Sequence, residues 1–376
     1  MPGSSNGVAT AADAAARAGF RSAVTSGHRF RIAQVSPLFE RVPPRQYGGT
    51  ERIVGYLCNA LARRGHQVTL FASGDSITHA RLCAPTEQSL RLAAHVGEQT
   101  AAHILELALV FEQAGQFDVI HCHVDHLAFP FSRFMGTPTL HTLHGRLDVP
   151  HLRPLYQHFS DLPFVSISDA QREPLRDIPM GWLATVHHGL PPEEYPVGTG
   201  GGGYLAFLGR MSPEKRPDLA IEIARRVGLP LKIAAKIDDE NLQYFEGVVR
   251  PLLDQPLVEF VGEVGGADRL RFLGDAVALL FPIDWPEPFG LVMIEALACG
   301  TPVVALRRGS VPEVIVNGTT GFIVETVDEM VEAVKRVGGI DRAECRRDVE
   351  RRFTDERMTM AYEDVYADLL TRAARR

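Results

Sequence analysis

Short, continuously apolar segments alternate with helical segments along most of this chain of 376 residues, and this alternation restricts the possible folds more than any other feature. Apolar runs separated by helices are typical of parallel strands that are covered on both faces. We therefore predict an α/β fold built on parallel sheets. The predicted strands are residues 30–36, 68–72, 119–122, 139–143, 164–167, 184–187, 204–208, 231–235, 258–261, 278–282 and 303–305, with helices at 51–64 and 217–227 and surface helices within 88–114.

One segment poor in packing side chains interrupts the alternation. Residues 191–203 contain three prolines and five glycines, and a new series of strands and helices begins directly after them. Because such segments form linkers, we predict a first domain at 29–190 and a second at 204–354, joined by a linker at 191–203. Residues 1–28 are rich in Ala, Ser and Gly and lack the apolar core of a signal peptide, so we expect a disordered tail there.

Composition and charge narrow the class of protein. The chain is 45% hydrophobic and 23% charged, as in globular proteins, and its net charge of -7 argues against nucleic acid as a partner. The five cysteines form no Cys-x-x-Cys pair, which indicates free thiols in a reducing cytoplasm and no structural zinc site. No segment approaches the ~20 apolar residues of a membrane-spanning helix.

Two glutamates mark the segment that is most informative about function. Glu287 precedes a predicted apolar helix and Glu295 lies on its first turns, while Gly290 opens the helix and Gly300 ends it. The free amides of residues 289–291 and the helix dipole together would form a site for a phosphate group. We therefore predict that the two carboxylates flank a bound diphosphate and accept hydrogen bonds from sugar hydroxyls.

The Glu-x7-Glu spacing and the segment Phe207–Pro217 resemble family 4 of the retaining glycosyltransferases, and the similarity of pattern extends over nearly the whole chain after about residue 29. The resemblance implies the GT-B arrangement, in which two Rossmann-like domains face a cleft. It also implies that a last helix, near 355–372, crosses back, so that residues 355–376 pack with the first domain. The implied reaction is transfer of a hexose from a nucleoside diphosphate sugar, with retention and without a metal or other cofactor.

The resemblance implies that the second domain binds the donor. Arg210 and Lys215 are expected to hold the pyrophosphate, because a guanidinium and an ammonium can stabilise its growing charge. The alternative is a surface pair with Glu214 or Asp218. The other expected contacts are Glu287 with hydroxyls of the donor sugar, Glu295 with the ribose, Lys236 with the phosphates, and the backbone of Phe289, Gly290 and Leu291 with the donor.

The first domain is expected to face the transferred sugar and the acceptor. Gly48 and Gly49 open a helix where backbone amides can approach the donor, and a tight turn is the alternative for this pair. His144 ends a strand and resembles the family's histidine beside the donor sugar, for which a core histidine is the alternative. The predicted acceptor-side residues are Thr50, Asp125, Arg146 and Asp148.

Two segments invite a metal interpretation that we do not adopt. Residues 121–126 hold three histidines, and His-x-His spacing occurs in metal sites. His121 and His123 share one strand face, which neighbouring helices would half cover, and the resembling family needs no catalytic metal. Asp238 and Asp239 are interpreted instead as the N-cap of the following helix.

The resemblance leaves several donors and acceptors open. UDP-glucose is the first choice of donor and GDP-mannose the second. A small soluble acceptor such as a pterin is favoured, because residues 88–114 hold few cations for binding a membrane. Membrane association is therefore expected to be absent or peripheral. The alternatives are sugar transfer in surface-polysaccharide or glycolipid assembly, a glycoside phosphorylase of the same fold, and a non-catalytic nucleotide-sugar sensor.

Overall fold

The computed structural model describes residues 29–92 and 99–375. The tail predicted at 1–28 lies outside the described residues, as does part of the helical prediction at 88–114. The described chain folds into two α/β units, each built on a parallel sheet with helices packed against it. The predicted fold class is therefore confirmed.

The first sheet has seven parallel strands in the order β3-β2-β1-β4-β5-β6-β7. The sequence does not predict β3, because its three residues lie at the sheet edge and Arg81 is exposed, so the segment lacks a continuous apolar run. The strands are β1 Arg31–Val35, β2 Gln67–Phe71, β3 Arg81–Cys83, β4 Val119–Cys122, β5 Thr139–Thr142, β6 Phe164–Ser166 and β7 Trp182–Thr185.

The second sheet has six parallel strands in the order β10-β9-β8-β11-β12-β13. Its central strands are buried on both faces, which explains why they read as continuous apolar runs. The strands are β8 Leu205–Arg210, β9 Leu231–Lys236, β10 Val258–Gly262, β11 Ala278–Phe281, β12 Val303–Leu306 and β13 Gly321–Val324.

Helices connect the strands in both units. A π-helical turn at Phe245–Val249 separates α6 from α7. The helices are α1 Gly49–Arg63, α2 Gln99–Glu112, α3 Phe129–Arg133, α4 Arg153–His158, α5 Pro217–Val227, α6 Leu242–Tyr244, α7 Arg250–Leu253, α8 Gly266–Gly274, α9 Leu291–Ala298, α10 Val311–Val314, α11 Val327–Arg336, α12 Arg342–Arg352 and α13 Asp355–Ala373.

Two local predictions differ from the structure. Helix α2 lies within the predicted segment, but Glu106 on it is fully buried, so this helix is not a purely polar surface element. Asp238 stands at the N-cap position of a short 3-10 turn, yet its side chain caps nothing. It pairs with Lys236 at 2.6 Å, because the ammonium at the end of β9 lies closer than the turn's amides.

The last helix packs against the first domain, as predicted. Met358, Tyr362 and Tyr366 of α13 join the apolar core that β1, β2 and α1 build. The Arg64 Nε and Nη2 donate to the two oxygens of the Glu363 carboxylate, at 2.6 and 2.8 Å. The helix therefore ties the end of the chain to the first sheet through packing and charge.

The glycine-rich segment 191–203 runs from the first sheet to the second and packs tightly on the second domain. The amides of Gly198 and Gly200 donate to the carbonyls of Cys299 and Gly274, at 3.0 and 3.1 Å. A Cβ atom on Gly198 would lie 2.1 Å from the carbonyl oxygen of Gly274. Glycine at this position is thus required by a close backbone approach.

Candidate functional site

A cavity of about 830 Å³ lies between the two domains and is lined by residues from both. It opens at the carboxyl ends of strands in each sheet, where ligands bind in open parallel α/β folds. Gly209, Arg210 and Lys236 line it from the ends of β8 and β9, and His123 and His144 line it from the loops after β4 and β5. The volume suits a ligand the size of a nucleotide sugar.

Glu287 and Lys215 form an ion pair in this cavity. The Lys215 Nζ lies 2.5 Å from the Glu287 Oε2, and the Trp285 Nε1 donates to the same oxygen at 2.9 Å. The ammonium also lies 4.9 Å from the centre of the Trp285 ring. Glu287 is 7% exposed, so its carboxylate is held by these two donors at the cavity wall.

Helix α9 begins at the same wall. In the described residues, the amides of residues 289–291 donate to no protein acceptor, as the sequence predicts. Gly290 has a φ of 75°, and a Cβ atom there would lie 2.6 Å from the Cε of Met293. Glycine therefore allows the turn that leaves these amides at the cavity, beside the Glu287–Lys215 pair.

Arg210 and Lys236 add two more cations to the cavity lining. Arg210 donates to Glu214 at 3.0 Å, which is the pairing that the alternative interpretation of the sequence named. Lys236 pairs with Asp238 and lies 5.6 Å from the Tyr47 ring centre, so it bridges towards the first domain. Both cations have protein partners and both line the cavity. Their contacts with phosphate stay a prediction.

Glu295 lies at the back of the cavity in a buried cluster that the sequence did not reveal. It is 3% exposed, and its Oε1 accepts from the Arg269 Nη1 at 2.5 Å. The Arg52 Nε lies 3.8 Å away and the Tyr195 hydroxyl 3.5 Å away from the same oxygen. All these contacts involve Oε1, so Oε2 is the oxygen that would accept the predicted hydrogen bond from the ribose.

The first domain's wall begins at the N-terminus of α1. Gly48, Gly49 and Thr50 all line the cavity, and Gly48 adopts a φ of 138° as the N-cap. Asp125 also lines the cavity, with a φ of 47°, and its Oδ1 accepts from the His144 amide at 3.4 Å. The structure thus brings the predicted Thr50 and Asp125 to one wall.

Arg146 and Asp148 are not brought into the cavity. They bind each other through two hydrogen bonds, at 2.6 and 2.7 Å, and the Arg146 guanidinium lies 5.3 Å from the centre of the Trp285 ring. A carboxylate two residues away is the closest partner for this guanidinium. The acceptor role of Arg146 and Asp148 stays a prediction.

The first-domain wall also contains three charged residues that were not predicted, namely Glu40, Glu51 and Arg91. Burial raises the pKa of Glu51 to about 7 and also raises the pKa values of Glu40 and Asp125. Arg91 pairs with Glu40 and lies 3.8 Å from Glu263 of the second domain. Single charged residues scattered over a loop and two helical segments give no sequence signal for such a wall.

The histidines after β4 and β5 form a hydrogen bond with each other. The His123 Nδ1 and the His144 Nε2 lie 2.8 Å apart, and burial lowers the pKa of His144 to about 3. His121 contacts the hydroxyls of Tyr366 and Thr142, at 2.8 and 2.7 Å. Within 29–92 and 99–375, no group of three or more His, Cys, Asp or Glu side chains could hold a metal ion.

Two family models match the chain, one in each domain. The model described as Glycosyltransferase Family 4 matches residues 47–194, and the model described as Glycosyl transferases group 1 matches residues 199–347. The two matches meet within the glycine-rich segment. Among the described helices, none combines the length and the apolar character needed to cross a membrane.

Curated relatives match over part of their length. A D-inositol 3-phosphate glycosyltransferase of Streptomyces avermitilis is 26% identical over 268 residues, which cover 57% of this chain and 56% of the relative. An N-acetyl-alpha-D-glucosaminyl L-malate synthase of Bacillus anthracis is 30% identical over 155 residues, covering 37% of this chain and 40% of that protein. The chain thus spans about half the length of these relatives, or less.

Solved structures share the whole architecture. Sucrose-phosphate synthase from Thermosynechococcus elongatus superposes with a TM-score of 0.76 at 20% identity, covering 92% of this chain and 100% of that chain. An Anabaena protein solved in complex with UDP-glucose gives a TM-score of 0.68 at 16% identity, with 92% and 100% coverage. At these identities the likeness establishes the fold, two Rossmann-like domains in the GT-B arrangement.

Proposed function

Because this chain belongs to glycosyltransferase family 4, we propose that it transfers a hexose from a nucleoside diphosphate sugar to an acceptor hydroxyl, with retention of the anomeric configuration. One observation carries the proposal. Lys215, Arg210 and the free amides at the start of α9 converge in one cavity beside the Glu287 carboxylate. Cations and helix amides bind phosphates, and a carboxylate accepts sugar hydroxyls.

In the proposed reaction, the cations and the amides of α9 bind the leaving group, and the Glu287 carboxylate binds the sugar. The bond between the sugar's anomeric carbon and the diphosphate oxygen breaks, and the acceptor oxygen bonds to that carbon on the same face. The departing diphosphate takes the acceptor's proton. Lys215, Arg210 and the α9 amides stabilise the leaving group, while Glu287 orients the sugar. Burial lowers the pKa of His144, so its ring is neutral. Its proposed role is a contact with the sugar that involves no charge.

UDP-glucose is the proposed donor, with GDP-mannose second. The Anabaena protein of the same fold was solved with UDP-glucose, which supports the first choice. Glu295 is the proposed ribose contact and Lys236 a phosphate contact, since both line the cavity near the end of β9 and the start of α9. No cofactor beyond this co-substrate is proposed.

The proposed acceptor is a small soluble molecule, of which a pterin is one example. The names of the two curated relatives refer to D-inositol 3-phosphate and L-malate, both small. Helix α2 contains no lysine or arginine, so it offers no basic face to an anionic membrane. All five cysteines are free, which supports a reducing cytoplasm as the location; a disulfide in the natively purified protein would contradict that location.

The test is turnover of a panel of nucleotide sugars. The purified protein is expected to hydrolyse UDP-glucose slowly and to transfer glucose faster once its acceptor is added, and NMR of the product is expected to show the donor's anomeric configuration. A phosphorylase would instead cleave a glycoside with phosphate and no nucleotide. A sensor would bind a donor without releasing nucleoside diphosphate. An inverted product, or no turnover of any donor, would refute the proposal.

Activity is expected to survive chelation. Lys215, Arg210 and the α9 amides supply the positive charge that a metal would otherwise bring to the diphosphate. Transfer rates are to be compared with and without excess EDTA, and after adding back Mg²⁺ or Mn²⁺. Complete loss that Mn²⁺ or Mg²⁺ restores would show that the diphosphate charge is carried by a metal.

A further inference from the structure

A continuous series of hydrogen bonds links the last helix to His144. The Gln34 Nε2 donates to the Tyr366 hydroxyl at 2.9 Å, and the Gln34 Oε1 lies 2.8 Å from the His123 Nε2. The His123 Nδ1 in turn lies 2.8 Å from the His144 Nε2. Gln34 is directly opposite His121 in the β1–β4 register, so the strand pairing itself places its amide among these rings.

The donor and acceptor roles in this series are fixed by the orientation of the Gln34 amide. Its Oε1 can only accept, so the His123 Nε2 carries the proton and the His123 Nδ1 is an acceptor. The His144 Nε2 must then donate to it. Since burial keeps both rings neutral, the remaining His144 Nδ1 carries a lone pair and no proton.

This His144 Nδ1 has no partner. It is enclosed and makes no hydrogen bond within the described residues, although His144 lines the cavity. An enclosed acceptor without a donor costs free energy, which a ligand hydroxyl would recover. Buried polar groups of this kind are otherwise nearly always paired. Because His144 lines the cavity, a substrate hydroxyl that displaced the atoms covering Nδ1 would satisfy this acceptor.

We propose that Gln34 and Tyr366 are positioning residues, which hold His144 in the Nε2–H tautomer so that its Nδ1 accepts a hydrogen bond from a substrate hydroxyl. This proposal rests on the proposed function, because it assigns the hydroxyl to the sugar donor or the acceptor. It gives α13 a role beyond packing. The last helix sets, through three side chains, which end of the His144 ring meets the substrate.

The first test is the tautomer of His144, read from ¹⁵N chemical shifts of its ring in histidine-labelled protein, with the His144→Gln variant used for assignment. The wild type is expected to show a protonated Nε2 and a bare Nδ1. A protonated Nδ1 would overturn the proposal, because it would mean that the Gln34 amide and every bond after it are reversed. This reading needs no substrate, so it is separate from failure of the proposed function, which would appear as absent transfer.

Tyr366→Phe provides the second test, with Tyr362→Phe as its matched control. Both hydroxyls belong to fully buried tyrosines of α13, but the Tyr362 hydroxyl contacts Thr142 and reaches Tyr366 only through His121, so its removal leaves the bonds from Tyr366 to His144 in place. Tyr366→Phe is expected to mix the His144 tautomers and to lower kcat/KM about tenfold, as loss of one well-placed hydrogen bond does. Tyr362→Phe is expected to leave both unchanged.

Equal effects of the two tyrosine variants on the His144 shifts and on kcat/KM would refute the positioning role. Should Tyr366→Phe fail to fold, Gln34→Leu takes its place, because leucine has a similar size and can neither donate nor accept. Mixed tautomers are expected in that variant as well. A His144 ring that keeps its wild-type shifts in Gln34→Leu would show that Gln34 does not set the tautomer.

Discussion

Lys215→Ala is expected to lower turnover by about a hundredfold, as loss of a group that stabilises charge in the transition state does. The Lys215 Nζ is the cation closest to Glu287, at 2.5 Å, and it lies in the cavity beside the amides of α9. Removing it withdraws a positive charge from the departing diphosphate. It also leaves the Glu287 carboxylate unneutralised next to that growing negative charge, so both effects act in the same direction.

Glu287→Gln is expected to have an effect of about the same size, since an amide accepts sugar hydroxyls more weakly than a carboxylate and cannot form an ion pair with Lys215. Arg216→Ala is the matched control. Arg216 follows Lys215 directly, but its guanidinium binds Asp218 at 2.8 Å and Asp284 at 3.4 Å and does not line the cavity. Steady-state kinetics with donor and acceptor should separate these variants; a near wild-type rate for Glu287→Gln would show that the site is misassigned.

Arg269→Ala is expected to lower the free energy of unfolding by about 3 kcal/mol, because it leaves a buried carboxylate without its main partner. Glu295 is 3% exposed and Arg269 8% exposed, and their contact of 2.5 Å is the shortest in the cluster. Burial lowers the pKa of Arg269, but Glu295, Tyr195 and Tyr56 together raise it by more, so the net change is upward. Arg52 lies 3.8 Å from Glu295 and would compensate only part of the lost interaction.

The same cluster connects the domains, so Arg269→Ala should also weaken donor binding. Arg52 belongs to α1 of the first domain, and Tyr195 belongs to the segment between the sheets. Urea unfolding followed by circular dichroism measures the change. Arg271→Ala is the control on the same helix α8, where the guanidinium pairs with the exposed Asp268; its effect should stay within about 0.5 kcal/mol. Equal losses for the two variants would mean that the buried pair contributes nothing of its own.

The sequence by itself determined the two parallel sheets, the helix that opens after Glu287 and the free amides of residues 289–291. These features follow from interactions between residues close in the chain. Periodicity distinguishes strands from helices, and a glycine at positive φ places the helix start. Edge strands β3 and β13 escaped prediction because local patterning is weak where only one neighbour strand exists.

Only the tertiary structure decided which charged and polar groups meet. Arg269 and Arg52 reach Glu295, and the last helix reaches His121 through Tyr366, although these partners are far apart in the sequence. Arg146 and Asp148, by contrast, bind each other outside the cavity. Such pairings depend on strand order, register and the crossing of α13, and no local pattern records them. The local structure of the Glu287 segment was therefore predictable from the sequence, whereas the partners that hold the rest of the site are set by the packing of distant elements.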